Sequence, residues 1–362
     1  MSLRSSERDR LLETVETQRL GCDLAGSPLY AEVLDVVADD LRRLGPFAGL
    51  LAPVATAPFG DAVLLRLLAG LHRLVLDGEA PELAAHYPSV GGRHRRRWLA
   101  TDGADGSLAS ALHVAVGRHR ARLAADLRSN VQTNEVGRSA TLLGGFLEVG
   151  RGGLPLRVLE VGASAGLNLR FDRYRYVAAG RSWGPAQSPL QFGEPWFGAA
   201  PDLDARLDVS ERLGCDVAPI DPLDPAGRTR LRSFIWADQL DRLARLDAAL
   251  EVAATVPASV EAASAPDWAR RQLERSAPGV ATVLFHSILL QYLSVDERRD
   301  LVDAIEGAGA RATTDAPVAW LRLEPGGDQA DLRLTTWPGG GTLLLATSAY
   351  HGPPVVWRGR RA

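Results

Sequence analysis

At 362 residues and 46% hydrophobic content, the chain has apolar material for one large or two ordinary domains and is no disordered polymer. A net charge of −3 supplies no global basic field for nucleic acid or an acidic membrane surface, so a small-molecule substrate is expected. All 41 basic residues are arginine, which excludes a lysine Schiff base, pyridoxal phosphate attachment and a phosphate-loop lysine.

Two cysteines, Cys22 and Cys215, make neither a disulfide framework nor a cysteine-rich zinc site, and no His-Glu-x-x-His run is present, so no metal is expected. The opening MSLRSSERDR is too polar for a signal peptide. A cytoplasmic protein is expected, and its oligomeric state is not legible.

Up to residue 140 the apolar residues recur at helical spacing. Leu29, Val33, Val36, Val37, Leu41 and Leu44 form one stripe; Leu108, Leu112, Val116, Leu123 and Leu127 form another. Val63 to Leu76 is apolar nearly all round and short for a membrane span, so it reads as a buried helix. His119 falls on the second stripe and reads as a hydrogen-bonded core histidine. Arg93, His94, Arg95, Arg96 and Arg97 follow two glycines and read as a solvated loop. A helical domain over residues 1–140 is expected, with an α/β domain over 141–362.

Between two helices lies a polar run: Gln132, Thr133, Asn134, Glu135 and Arg138. Asn134 either caps the next helix or, with the rest of the run, lies over the mouth of the central strand and contacts cofactor or substrate.

That strand is Leu156 to Val161, an apolar run with Glu160 inside it, bounded by Pro155 and Gly162. Gly162, Ala163, Ser164, Ala165 and Gly166 then make a small-residue turn, with helix expected to about Phe171. A strand, a tight turn and a helix N-terminus would aim N–H groups and the helix dipole at an anion. The dinucleotide fingerprint fits poorly, since Leu167 stands where its third glycine belongs. The same residues spell G-x-S-x-G, the nucleophile elbow of serine hydrolases, with Ser164 as nucleophile and His351 downstream. That elbow follows several strands of its sheet, whereas only helical periodicity precedes this one.

With Glu160 two residues before Gly162, the segment also resembles the first motif of class I S-adenosylmethionine-dependent methyltransferases. Ser164 departs from the usual middle glycine. The resemblance implies a Rossmann-like, mostly parallel sheet of seven strands. It also implies that Gly162, Ala163, Ser164 and Gly166 hold S-adenosylmethionine, with Glu160 at its amino-acid end.

Residues 172–204 interrupt this plan with Tyr174, Tyr176, Trp183, Phe192, Trp196 and Phe197 among glycines and prolines, an inserted hairpin or lid. Tyr174 is a candidate substrate contact. The second strand, Asp208 to Asp216, comes late, and the methyltransferase resemblance makes Asp216 the ribose carboxylate, with Asp221 as the alternative. Trp236, Ala237, Asp238, Gln239 and Arg242 open a long helix; Trp236 and Asp238 are substrate candidates, or Asp238 is a dipole partner.

Ala258 to Ala263 is the third strand, with a capping box expected from Ser264 and Asp267. Val280 to Phe285 is the fourth and leads into His286, the expected general base, and Tyr292; Glu135 joins them as a catalytic candidate. Ser294 and Glu297 fit a capping box on a helix expected to stop at Gly307 and Gly309. Val318 to Glu324, Asp331 to Trp337 and Thr342 to Thr347 complete seven strands.

QTNEVGRSA, LEVGASAGLNL, DRYRY, GCDVAPIDP, FIWADQLDR, FHSILLQYL, TWPGG and YHG, in this order, resemble the uncharacterised bacterial family named domain of unknown function 2332, over essentially the whole chain. The family carries no assigned reaction. The combined expectation is a methyltransferase acting on a small molecule. Its rivals are a methyltransferase-like fold turned to ligand binding or other chemistry, and a serine hydrolase.

Overall fold

A computed structural model describes residues 3–94, 107–275 and 278–359; Arg95, Arg96 and Arg97 of the basic run lie outside them. The chain divides into two compact units: Met1–Thr133 with Pro225–Ala244, and Asn134–Asp224 with Arg245–Ala362.

The first unit is helical: α1 (Ser5–Leu24), α2 (Pro28–Arg43), α3 (Pro46–Leu51), α4 (Val63–Leu76), α5 (Pro81–Ala84) and α6 (Leu108–Asp126). Pro28 starts α2 where no N–H is needed, and Leu29, Val33, Val37 and Leu41 are fully buried. Leu44 is not on that buried stripe. It ends the helix in a left-handed conformation and is 57% exposed. The second stripe, Leu108 to Leu127, is buried throughout. His119 is corrected from core to partly exposed: α6 kinks there, and its Nε2 lies 3.1 Å from the Glu79 carbonyl.

His72 on α4 is the core histidine of this unit, with Nδ1 2.9 Å from the Ile235 carbonyl and Nε2 2.8 Å from Ser89 Oγ. Burial pushes its pKa down to about 4. The returning segment adds a helix at Pro225–Ser233 and the start of another at Leu240–Thr255. Between them, Asp238 accepts the Ser27 hydroxyl at 2.6 Å and the Leu29 N–H at 3.0 Å, capping α2 from far along the chain.

The second unit is a sheet flanked by helices. Its strands are β1 (Leu156–Val161), β2 (Arg175–Ala178), β3 (Arg181–Trp183), β4 (Gln191–Phe192), β5 (Phe197–Ala199), β6 (Val209–Asp216), β7 (Ser259–Ala262), β8 (Ala281–Ser287), β9 (Val318–Pro325), β10 (Ala330–Trp337), β11 (Gly341–Ala349) and β12 (Gly352–Trp357). The main sheet has nine strands in the order β5-β12-β11-β10-β9-β8-β1-β6-β7. From β7 to β9 neighbours run parallel; β9 to β12 form an antiparallel meander, and β5 lies parallel to β12. The whole is a mixed α/β protein with a large, mostly parallel sheet.

Nine strands replace the seven expected. β12 was illegible because Pro353 and Pro354 argue against a strand; its pairing with β11 runs from Ala349–Gly352 to Thr347–Val356 and passes over both prolines.

Six consecutive buried residues make β1, since parallel neighbours and flanking helices leave it no solvent face. On one face, Leu159, Val161, Leu284 and Trp320 share a core with Trp268 of α7 (Ala265–Leu273) and with Leu301 and Ile305 of α8 (Val295–Arg311). The helix Arg138–Gly150, called αN below, approaches β8, β9 and β12 through Gly144 and Gly145. A Cβ at Gly145 would stand 2.2 Å from Leu321 Cδ1, and one at Gly144 2.2 Å from the Trp357 ring. Phe146, next in line, stacks on Phe171 at 3.8 Å and meets Phe285 edge-on at 5.0 Å.

The insertion folds as the small sheet β3-β2-β4 with Tyr174, Tyr176 and Phe192 fully buried, and then delivers β5 to the main sheet. Ser294 and Glu297 form the capping box, but α8 continues through Gly307 and Gly309 to Arg311, and the bare Gly309 is packed against the Trp337 indole. Ser264 makes no backbone cap; its hydroxyl donates to Asp267 at 2.7 Å.

Candidate functional site

Leaving β1, the chain builds β6 and β7 on one side, then crosses to build β8 and β9 on the other. The crossovers diverge at the carboxyl ends of β1 and β8, where open α/β sheets form a ligand crevice. The turn Gly162–Leu167 lies at that point. Gly162 has φ +72° and is exposed, and Ser164 has φ +53°.

The turn is not the anion cradle expected. Ala163 N–H donates to the Cys215 carbonyl (2.9 Å), Ser164 N–H to Asp216 Oδ2 (2.9 Å), Gly166 N–H to the Ala163 carbonyl (2.7 Å) and Leu167 N–H to Asn134 Oδ1 (3.1 Å). The helix expected to Phe171 is instead a six-residue 3-10 turn, Asn168–Arg173, that starts beyond the glycines. Arg170 explains the tighter path. Its buried guanidinium donates to the carbonyls of Gly166 (2.7 Å), Ala165 (3.3 Å) and Val256 (2.7 Å).

Glu160 sits beneath this turn, 2% exposed, with Oε2 lacking a hydrogen-bond partner. Burial and the neighbouring Asp216 raise its pKa well above 4.5, against the opposing pull of Arg170, Asn168 and Arg138. Asp216 ends β6, half-buried, and its Oδ1 also accepts the Ala218 N–H at 2.9 Å. Two expected site residues thus meet at the end of β1, one deep, the other nearer solvent.

The polar run fastens this edge. Asn134 holds Leu167 and does not cap αN, whose N-cap is Gly137. Glu135 Oε1 accepts the Gly137 N–H (3.0 Å), and Arg138 donates to the carbonyls of Ser287 (3.2 Å) and Tyr350 (3.1 Å). Ser139 donates to Asn168 at 2.7 Å. Tyr174 is buried, its hydroxyl donating to the Leu167 carbonyl at 2.5 Å. Gln132, Trp236 and Asp238 belong to the helical unit, where Asp238 caps α2 and Trp236 stacks near Tyr30 at 6.1 Å.

His286 is corrected from general base to buried scaffold. Its Nδ1 lies 2.6 Å from Glu324 Oε1, and its Nε2 accepts the Trp320 indole N–H at 3.0 Å. With both ring nitrogens engaged and no exposure, it has no lone pair to offer a substrate. Tyr292, by contrast, is 45% exposed in the turn after β8. Sequence reading missed Ser139, Asn168, Arg170 and Glu324; for Glu324 the available signal was an acid at the carboxyl end of the fifth parallel strand.

Among the described residues no His, Cys, Asp and Glu group is arranged to hold a metal ion, and no helix is long and apolar enough to cross a membrane. Fold and edge together define a mixed α/β protein with a topological switch point between β1 and β8. The profile of the family described as "Uncharacterized protein conserved in bacteria (DUF2332)" matches residues 13–357, and the chain belongs to that family. No curated protein and no solved structure matches it.

Proposed function

We propose that the crevice binds S-adenosylmethionine and that the protein is a methyltransferase acting on a small-molecule acceptor, with a class I methyltransferase-like arrangement of its parallel strands. The observation that carries the reading is the joint placement of Glu160, the exposed Gly162 and Asp216 where the crossovers diverge. An orphaned, buried Glu160 oxygen supports it, since a buried polar atom without a partner is the mark of a missing ligand or water.

When bound, the cofactor supplies a methyl group activated on a sulfonium. The protein's own share is positioning: Gly162 admits close approach over the end of β1, Glu160 faces the amino-acid end and Asp216 the ribose hydroxyls. The engaged turn amides leave this recognition to side chains and surface contact. His286 being occupied, Glu135 and Tyr292 are the remaining acid–base candidates at this edge.

Calorimetric titration with S-adenosylmethionine and S-adenosylhomocysteine tests the reading. Micromolar-range binding is expected, and silence with both refutes it. The left-handed φ of Ser164 keeps the hydrolase rival in play, although β1 is the first strand of the sheet. Fluorophosphonate labelling lost in Ser164→Ala would replace the methyltransferase reading with that one.

A further inference from the structure

Just past β8 the backbone does something costly. Ile288 has φ +52°, a left-handed conformation that β-branched side chains disfavour and that persists only where neighbours over-determine it. Here they do. Ile288 N–H donates to the Leu323 carbonyl at 2.8 Å, and the next two amides turn towards Glu324. Its Oε1 accepts Leu289 N–H at 2.9 Å, and its two oxygens lie 3.4 Å from Leu290 N.

Glu324 is itself fixed. The donation from Trp320 to Nε2 requires the His286 proton to be on Nδ1, aimed at the same Oε1. Trp320 is covered in turn by the Arg322 guanidinium, 4.0 Å above its ring. The loop so held lays Leu289 on the glycine turn: its Cδ1 is 2.6 Å from where a Cβ at Gly162 would be.

We infer that Glu324 is a positioning residue of the crevice: with His286 it sets the loop Ser287–Leu290 so that Leu289 lies against Gly162. It thereby governs how tightly a small molecule is held there, a consequence that rests on the methyl-donor site proposed above. A half-buried carboxylate that only stabilised the sheet would have no reason to collect two loop amides and one histidine tautomer.

The test compares Glu324→Ala, Glu324→Gln and Trp320→Phe in the full chain. Hydrogen exchange is read on peptides covering residues 287–292 and on peptides covering β1, alongside titration with S-adenosylhomocysteine. Glu324→Ala should speed exchange in 287–292 and weaken the nucleoside, each on the order of tenfold as for lost charge-assisted hydrogen bonds, with β1 unchanged. Glu324→Gln, which keeps an acceptor oxygen for Leu289 N–H and the imidazole, should recover most of both. Nitrogen-15 spectra should show His286 as the Nδ1–H tautomer.

Unchanged exchange in Glu324→Ala, or an Nε2–H tautomer, overturns the loop-setting role. Faster exchange with unchanged affinity overturns the link to the ligand. Should Glu324→Ala not fold, Trp320→Phe decides, because it loosens His286 while leaving the carboxylate: severalfold weaker binding is expected, and wild-type affinity refutes the idea. A wild-type protein silent to the nucleoside removes the methyl-donor reading and the affinity claim, while the exchange comparison still decides the loop.

Discussion

Replacing Glu160 with glutamine should change how stability depends on pH. Glu160 is 2% exposed, and burial beside Asp216 holds its folded-state pKa well above the unfolded 4.5. Between those values the folded chain keeps a proton that the unfolded chain releases. The contribution is therefore fully present below 4.5 and is lost as pH rises towards the folded value. The slope cannot exceed about 1.4 kcal/mol per pH unit, the worth of one proton bound in one state and not the other. Glu160→Gln keeps a neutral group of the same shape and removes this slope, so as pH rises above 4.5 the variant should gain stability on the wild type. Urea unfolding of both proteins at matched pH, compared through midpoints at constant m value, measures the difference. Parallel stability curves would show that folding does not raise the Glu160 pKa, and the reasoning from its burial beside Asp216 would fall.

Gly145→Ala should destabilise the second unit by about 1–3 kcal/mol, because its methyl would overlap Leu321; an unchanged denaturation midpoint would mean that αN shifts freely. Asp238→Ala should cost about 1–2 kcal/mol of helical-unit stability by removing the cap on α2, visible as faster amide exchange at Leu29. His72, depressed from 6.5 to about 4, should stay neutral by proton NMR down to pH 5; its stabilising contribution is present above 6.5 and is lost as pH falls towards 4. An imidazole titrating near 6.5 would contradict its burial between Ile235 and Ser89.

Local patterns determined much of this protein from sequence. Val63–Leu76 was legible to the residue because an apolar run of that length admits one buried helix, and β1 because Pro155 and Gly162 bound a continuous apolar run. The small-residue turn after β1 followed from turn chemistry that acts over a few residues, whereas the end of the second strand at Asp216 was read from the methyltransferase resemblance. What the tertiary structure decided is which polar groups have partners. Whether Ser164 N–H faces a ligand or Asp216, and whether His286 has a nitrogen to offer, depends on atoms 52 and 38 residues away. Asp238 likewise reads as a helix opener until α2 arrives to take its carboxylate. Hydrophobic periodicity is written locally, whereas satisfying a buried donor or acceptor is a condition on the whole fold, and a single sequence specifies it only through the packing that brings the partner there.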